Sequence, residues 1–407
     1  MKPVQMVETF RSVVQFRRFE RDPVLRRLAR AANVDDLRRI AKRRLPAGVF
    51  DYIDGAAEDE RALDRNQADF EKLLFNPRVL RDVSNVDTST NILGRSSPLP
   101  LVLAPTGFGR IADSQGELAV ARSAAKAGVT YSLSTMATRS IEEVAAVNDG
   151  DKWFQVYVWK DKDRTEELLE RAAAAGYSTI IITVDVPQLG RRERDVRRGF
   201  TLPPKIGLET IIDGVLHPSW TWDFINAEPI GFANVSGSDV GDGSSPVSLM
   251  AYINNQFDPA LSWDEIGWFK ERWKGPIVLK GIQCVDDARL AVDNGIDAIA
   301  LSNHGGRQLD DSPSPITLLP SVVEAVGGQT EIIVDGGVRR GSDIVKAVSL
   351  GATACMIGRP YMYALGAGGE RGVDHLLEMF ADGMQRTMAL VGAQAIDDLD
   401  PEVIGSA

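Results

Sequence analysis

The sequence predicts an α/β chain folded as a closed (β/α)8 barrel, with an N-terminal helical arm and a long insertion after the fourth strand. Three observations carry that prediction. Eight short apolar or β-branched runs recur between residues 99 and 380, Ala-rich amphipathic stretches separate them, and most of the runs end in polar residues or glycine. Continuous rather than alternating apolar runs mark a parallel sheet buried on both faces. Eight βα units in 407 residues suit a closed barrel better than a doubly wound sheet.

Residues 1–98 read as a lead-in. Met1 to about Asn33 has weak periodicity, Asp35 or Asp36 then caps a helix through Leu37–Ala41 towards Pro46, and the helical pattern resumes over Val49–Asp59. Tyr52 stands there among small residues, where packing of the ring is a tyrosine's ordinary fate. Strands are predicted at Leu101–Ala104, Tyr131–Ser134, Trp153–Val158, Thr179–Asp185, Pro276–Lys280, Ala298–Ser302, Glu331–Asp335 and Ala354–Gly358. Helices fit between them, for example Gly116–Lys126 and Thr165–Ala175, closed by Gly128 and Gly176. The fourth connection, 186–275, runs to about 90 residues, far beyond a usual crossover, so a lid, a binding loop or a partly disordered segment is expected. It opens with Pro187–Arg194, holds a Gly/Ser/Asp-rich tract at Ser236–Ser245 and turns helical near Asp264–Arg272. With the barrel over 99–380 and a C-terminal tail over 381–407, the chain is expected to form one domain.

Composition narrows the function. An apolar fraction of 44% supports a full core, and a net charge of −11 argues against nucleic acid as a partner. No run approaches the roughly 18 continuous apolar residues that span a bilayer, and the N-terminus lacks a signal peptide's apolar core. A cytoplasmic protein is therefore expected. The arginine-rich stretch from Arg17 to Arg44 would serve as a solvated face, a subunit contact or a patch against an anionic membrane. Two cysteines, Cys284 and Cys355, and three histidines, His217, His304 and His375, offer neither a disulfide framework nor a zinc site.

A barrel places its chemistry on the loops at the carboxyl ends of its strands. Those ends deliver Pro105-Thr106-Gly107, Ser134-Thr135-Met136, Gln155 and Tyr157, Thr183 and Asp185, Lys280, Ser302-Asn303-His304, Asp335-Gly336-Gly337, and Gly358-Arg359. His304 and Arg307 emerge together after the sixth strand. Imidazole titrates nearest neutrality and guanidinium is a permanent cation that forks onto a carboxylate, so the pair suits acid–base chemistry on an anion. A lone histidine is more often a core residue, and it is its neighbours that raise this one. Asp185 can orient and charge-stabilise it. Lys280, ending an apolar strand, must find a partner in an anionic flavin ring, a Schiff-base substrate or a carboxylate. The Gly-rich turns after strands seven and eight, carrying Arg339 and Arg359, read as a phosphate site. With no GxGxxG fingerprint, flavin mononucleotide or a sugar phosphate fits better than a Rossmann-bound NAD.

Ser302–Asp310, together with Thr183–Pro187, Leu189–Glu193 and Asp335–Gly341, resembles the FMN-dependent α-hydroxy acid dehydrogenases and oxidases, over about Ile40 to Asp398 and nearest the bacterial L-lactate dehydrogenase branch. The resemblance implies a catalytic base at His304, its aspartate at Asp185, a carboxylate-gripping arginine at Arg307 with Arg192 as helper, and substrate-binding tyrosines at Tyr52 and Tyr157. For FMN it implies Pro105, Thr106, Gly107, Ser134, Gln155 and Thr183 around the ring and ribityl chain. It further implies Lys280 at the ring's N1 and O2 edge, Ser302 near the ribityl chain or ring, and Asp335, Gly337, Arg339, Gly358 and Arg359 on ribityl and phosphate. The sequence departs from glycolate oxidases at Ile53, where they carry a second aromatic, and at Met136, where they carry a tryptophan lining the substrate pocket. The implied reaction is oxidation of an L-2-hydroxy acid, lactate foremost, by a homotetramer, with mandelate-type or oxygen-using oxidation as the alternative. With no haem domain before Ile40, electrons are expected to leave to quinone, oxygen or a separate carrier.

Overall fold

A computed structural model describes residues 20–198, 207–235 and 256–406. The tract Ser236–Ser245 and the arm from Met1 to Phe19 lie outside the described residues. Eight parallel strands close a barrel in chain order: Leu101–Leu103, Thr130–Ser134, Lys152–Tyr157, Thr179–Thr183, Ile277–Ile282, Ala298–Ser302, Glu331–Asp335 and Ala354–Ile357. The eighth pairs with the first through Cys355 with Leu101, Met356 with Val102 and Ile357 with Leu103. Every predicted strand is present; Ala298–Ser302 and Glu331–Asp335 match as predicted and the ends of the others shift by one or two residues. The fourth stops at Thr183, so Asp185 stands two residues beyond it rather than ending it.

Alternation places Val102, Trp153, Ile181, Val278, Ala300, Ile333 and Met356 inside the barrel, all essentially without solvent contact. Their neighbours along each strand, such as Ile180 and Ile182, pack outward against the helices. Burial of each large aliphatic side chain contributes roughly 1.5–3 kcal/mol, so filling the lumen rigidifies the platform from which the loops rise.

The lead-in supplies helices Pro23–Leu28, Val34–Arg44, Ala47–Asp54 and Arg61–Glu71. Asn33, not Asp35 or Asp36, caps the second: its backbone is extended and its side chain accepts from Asp36 N at 2.8 Å. Asp36 turns back to accept from Ala32 N at 2.9 Å. The helix expected to reach Asp59 ends at Asp54, because Gly55 adopts an extended conformation. Helix Glu370–Val391 runs without interruption across position 381, so the expected tail begins inside it. Ile404–Ser406 then pairs antiparallel with Leu73–Phe75, joining the C-terminal segment to the lead-in.

The insertion carries helices Glu193–Arg198, Leu208–Leu216, Pro218–Asn226 and Ile266–Arg272. Asp213 Oδ2 accepts from Ala47 N at 2.7 Å, Trp220 Nε1 donates to Ile111 O at 2.7 Å, and Asp223 accepts from Ser114 N and Oγ at 2.9 and 2.7 Å. These bonds seat helix Leu208–Leu216 on the lead-in helix Ala47–Asp54 and helix Pro218–Asn226 on the first strand's loop.

Candidate active site

Beyond Ser302 the chain takes three successive left-handed residues, His304 (φ 56°), Gly305 (63°) and Gly306 (75°). For a residue bearing a side chain that conformation costs about 1–2 kcal/mol, and nearby bonds hold His304 in it. Its N–H donates to Ser302 Oγ at 3.1 Å, Gly306 N donates to Asn303 Oδ1 at 3.1 Å, and the amides of Asn303 and Asn66 pair reciprocally at 2.8 and 2.7 Å. The left-handed backbone favours glycine at the next two positions, and at Gly306 a Cβ would also lie 2.7 Å from the backbone Leu63 N.

The turn brings His304 Nδ1 to 3.1 Å from Asp185 Oδ1. Asp185 fits there because Gly281, at a shift of register in the fifth strand, has no side chain; a Cβ would sit 2.7 Å from Asp185 Cβ. Burial pushes the Asp185 carboxyl up, yet His304 and then Lys280 hold it below the usual carboxylate range. Burial likewise pushes His304 down, more than Asp185 raises it. At neutral pH the pair is thus a carboxylate and a neutral imidazole whose Nδ1–H faces Asp185, which leaves the Nε2 lone pair available as a base.

One cavity collects Tyr52 and Ile53 from the lead-in, Pro105, Thr106, Gly107, Met136 and Tyr157 from the first three strand ends, Leu189 and Arg192 from the insertion, and Lys280, His304, Arg307, Asp335, Gly337, Arg339, Gly358 and Arg359 from the remainder. Arg307 Nη1 donates to the carbonyls of Tyr52 and Gly55 at 2.8 and 2.9 Å, and its cation lies 5.1 Å from the Tyr52 ring centroid. Burial, with Arg192 alongside, pushes Arg307 down to about 9. Among the described residues, Arg192, Arg307, Arg339 and Arg359 form no ion pair with a carboxylate, and the Nε atoms of Arg192 and Arg359 are buried without partners. Four such cations around one cavity call for anionic ligands. Burial raises the Tyr157 phenol, which stays a neutral donor beside them.

The opposite half of the cavity has the features of a phosphate-bearing cofactor site. Ser134 Oγ donates to Gln155 Oε1 at 2.9 Å, which turns Gln155 Nε2 into a buried donor with no partner in the protein. Lys280 Nζ meets Asp335 Oδ2 at 2.8 Å and Ser302 Oγ at 3.0 Å, so of the partners open to it in sequence it has found a carboxylate. Burial would lower Lys280, but Asp335 and Asp185 hold it above the ordinary lysine value. Gly336 and Gly337 are left-handed, and a Cβ on Gly337 would lie 1.9 Å from Asn66 O. Behind these turns start helices Gly341–Ser349 and Arg359–Gly368, whose N-terminal amides suit an anion. Ser134, Gln155, Thr183 and Ser302 are buried behind the cavity wall rather than on it. Gln155 Nε2, the bare glycine turns and the unpaired Arg339 fit a flavin and its phosphate, while Arg359, at the N-terminus of its helix, donates to Gly305 O and Gly55 O at 2.7 and 2.6 Å, beside Arg307.

Sequence reasoning missed several supporting residues. Gln308 Nε2 donates to Asp185 O at 3.0 Å, and Asp310 accepts from Ala62 N at 2.7 Å. Tyr361 donates to Ala104 O at 2.7 Å and meets Thr106 Oγ1 at 2.6 Å. Gln308 and Asp310 stand inside the motif that carries the resemblance and were findable there; Asn66, 237 positions from Asn303, left no local signal.

Fold and cavity together define a barrel enzyme that holds a phosphate-bearing cofactor against a carboxylate substrate. Residues 41–406 match the family model described as FMN-dependent dehydrogenase. The chain is 47% identical over 399 residues to a putative L-lactate dehydrogenase of Mycobacterium tuberculosis, covering 98% of this chain and 95% of the relative. It is 41% identical over 369 residues to glycolate oxidase 1 of Zea mays, covering 90% and 94%. A solved structure described as the monotopic membrane protein (S)-mandelate dehydrogenase matches with a TM-score of 0.89 at 37% identity, over 93% of this chain and all of that one. The chain belongs to the FMN-dependent dehydrogenase family, and it is a flavoenzyme that oxidises α-hydroxy acids.

Proposed function

We propose that the substrate is L-lactate, oxidised to pyruvate, and that the electrons pass to quinone at a membrane surface or to another carrier. The observation that carries the chemistry is the Asp185-held neutral imidazole sharing a cavity with two unpaired guanidiniums. Arg307 and Arg192 grip the carboxylate, and Tyr52 and Tyr157 hydrogen-bond the substrate. His304 Nε2 takes a proton from the hydroxyl or α-carbon, and Asp185 stabilises the imidazolium that forms. Bound FMN supplies the acceptor for the two electrons. Thr106 and Lys280 on the cavity wall, backed by Gln155, Ser134 and Thr183, would hold its ring side, and Asp335, Gly337, Arg339, Gly358 and Arg359, backed by Ser302, its ribityl and phosphate side. Met136, Ile53 and Leu189 give the substrate's side chain an apolar wall.

Lactate is supported by the 47% identity to a relative so named. The membrane is supported by the apolar outer face of helices Leu208–Leu216 and Pro218–Asn226 and by the monotopic neighbour. Anaerobic titration of the flavoprotein with L-lactate, glycolate and (S)-mandelate tests the substrate: L-lactate should bleach the flavin at the lowest concentration, and a preference for mandelate would remove the lactate reading. Oxygen uptake slower than quinone reduction is expected. The family resemblance adds a cytoplasmic homotetramer, which a light-scattering mass near 44.3 kDa would exclude.

A further inference from the structure

Arg192 reaches the cavity from a segment that carries charge of both signs. Residues 191–198 hold five arginines with Glu193 and Asp195, and Arg197 pairs with Glu193 and Arg198 with Asp51. Arg192 itself lies beside the Arg307 guanidinium, which it pushes down beyond the effect of burial. Two cations held together in a poorly hydrated site repel, so contacts outside the site must hold Arg192 in place.

Glu58 N donates to Arg191 O at 2.9 Å and Arg198 Nε meets Asp51 Oδ2 at 2.9 Å, and two further fastenings flank Arg192. Upstream, Gly190 presses on the sixth-strand loop so closely that a Cβ would fall 2.3 Å from Arg307 O, and its N–H donates to Gln308 Oε1 at 3.1 Å. Downstream, Arg194 meets Asp54 Oδ2 at 2.8 Å and pairs with Glu60. Asp54 is buried and also accepts from Arg38 Nη2 and Tyr363 OH, both at 2.8 Å. Although burial opposes them, these donors hold its carboxyl down at about 2, so it stays charged at any working pH. Asp54 ends the helix that carries Tyr52, and the carbonyl of the next residue, Gly55, accepts from Arg307 and Arg359 at 2.9 and 2.6 Å. The fastening therefore joins the loop bearing one substrate-side cation to the turn that holds another.

We infer that Arg194 is a positioning residue: its ion pairs with Asp54 and Glu60 lock the loop at residues 189–198 onto the helix bearing Tyr52 and so set where Arg192 meets the substrate carboxylate. This rests on the reading that Arg192 grips that carboxylate. Arg194 touches no reacting group and acts through Arg192. Its loss weakens carboxylate binding without slowing the chemistry.

The test uses full-length holoenzyme and oxalate as a non-reacting dicarboxylate, its Kd read from the flavin absorbance. Anaerobic flavin reduction by the best 2-hydroxy acid gives the half-saturation and the limiting rate. Arg194→Met should raise the oxalate Kd and the half-saturation about tenfold and change the limiting rate by less than about twofold. Arg194→Lys should recover part of the loss. Arg192→Leu should weaken oxalate binding by itself, and Arg194→Met on that background should add little, because both act at one place. An unchanged Kd in Arg194→Met, a fall confined to the limiting rate, or additivity in the double variant would overturn the inference. If Arg192→Leu leaves oxalate binding intact, the carboxylate reading fails first and takes this one with it. Should Arg194→Met not fold, Glu60→Gln removes one arm of the fastening and must give the same shift in smaller measure.

Discussion

His304 holds a backbone conformation that disfavours any side chain, and the bonds that impose it also aim its ring. His304→Ala should slow flavin reduction by about 10²–10⁴-fold while the flavin spectrum of the bound cofactor persists; reduction at the wild-type rate would remove His304 as the base. The pH dependence follows from its burial. Protonation abolishes the base, so kcat/KM must fall as pH drops. Because burial holds the imidazole below its ordinary value, the acid limb should lie below pH about 6.5. Asp185→Asn removes the anion that raises His304, so the limb should move further to acid as the maximum rate falls. A limb at or above pH 6.5 in the wild type would contradict this. Much of the chemistry at this scale was legible, because a histidine, an aspartate and two arginines in the loops after the fourth and sixth strands stand in a motif that the family resemblance reads directly. What lets them meet was not: Gly281 clears space for Asp185, and nothing in a glycine's immediate sequence shows which side chain will need its missing Cβ.

The elements were legible to the extent that burial writes itself into composition. Strands buried on both faces appear as apolar runs, so all eight could be read. Helix ends depend on single dihedrals, and Asn33 and Gly55 shifted two of them. Contacts between distant elements were invisible, and helix Arg61–Glu71 shows why. Its own N-cap residue, Glu60, is left-handed and makes no side-chain cap. Asp310, from the loop after the sixth strand, accepts from Ala62 N at 2.7 Å and Arg61 N at 3.3 Å in its place. The active-site loop thereby caps the helix whose Asn66 pairs with Asn303. Asp310→Ala should cost about 0.5–2 kcal/mol in urea unfolding of the holoenzyme, with Asp310→Asn retaining part of it. An unchanged midpoint would mean that the cap carries no weight.

For the molecule as a whole, the distribution of apolar surface decides how the enzyme meets an acceptor. The arginine-rich stretch could serve as a solvated face, a subunit contact or a membrane patch, and its described part exposes Arg39, Lys42 and Arg43 on helix Val34–Arg44. The apolar contribution comes from the insertion beside it. With Asp213 bonded to the lead-in and Trp220 and Asp223 to the first strand's loop, the same two helices expose Ile211, Ile212, Val215, Leu216, Trp222 and Ile225, Trp222 at 75% and Leu216 at 71%. No helix among the described residues is long and apolar enough to cross a membrane, so on the proposed membrane reading this surface would lie in the headgroup region rather than span the bilayer. The bond from Ala47 N to Asp213 ties that surface to the helix bearing Tyr52, so the proposed membrane contact and the cavity share one element. The enzyme should therefore co-sediment with vesicles containing anionic phospholipid. Leu216→Ser with Trp222→Ser should weaken that binding roughly thirtyfold, at about 1 kcal/mol for each half-buried side chain. The anaerobic rate of flavin reduction should be unchanged, because neither residue lines the cavity, while reduction of a quinone dissolved in the vesicles should slow in proportion to the bound fraction. Wild-type enzyme that stays in solution with such vesicles, or a double variant that binds them as tightly as wild type, would remove the membrane from the proposal and leave a soluble carrier as the acceptor.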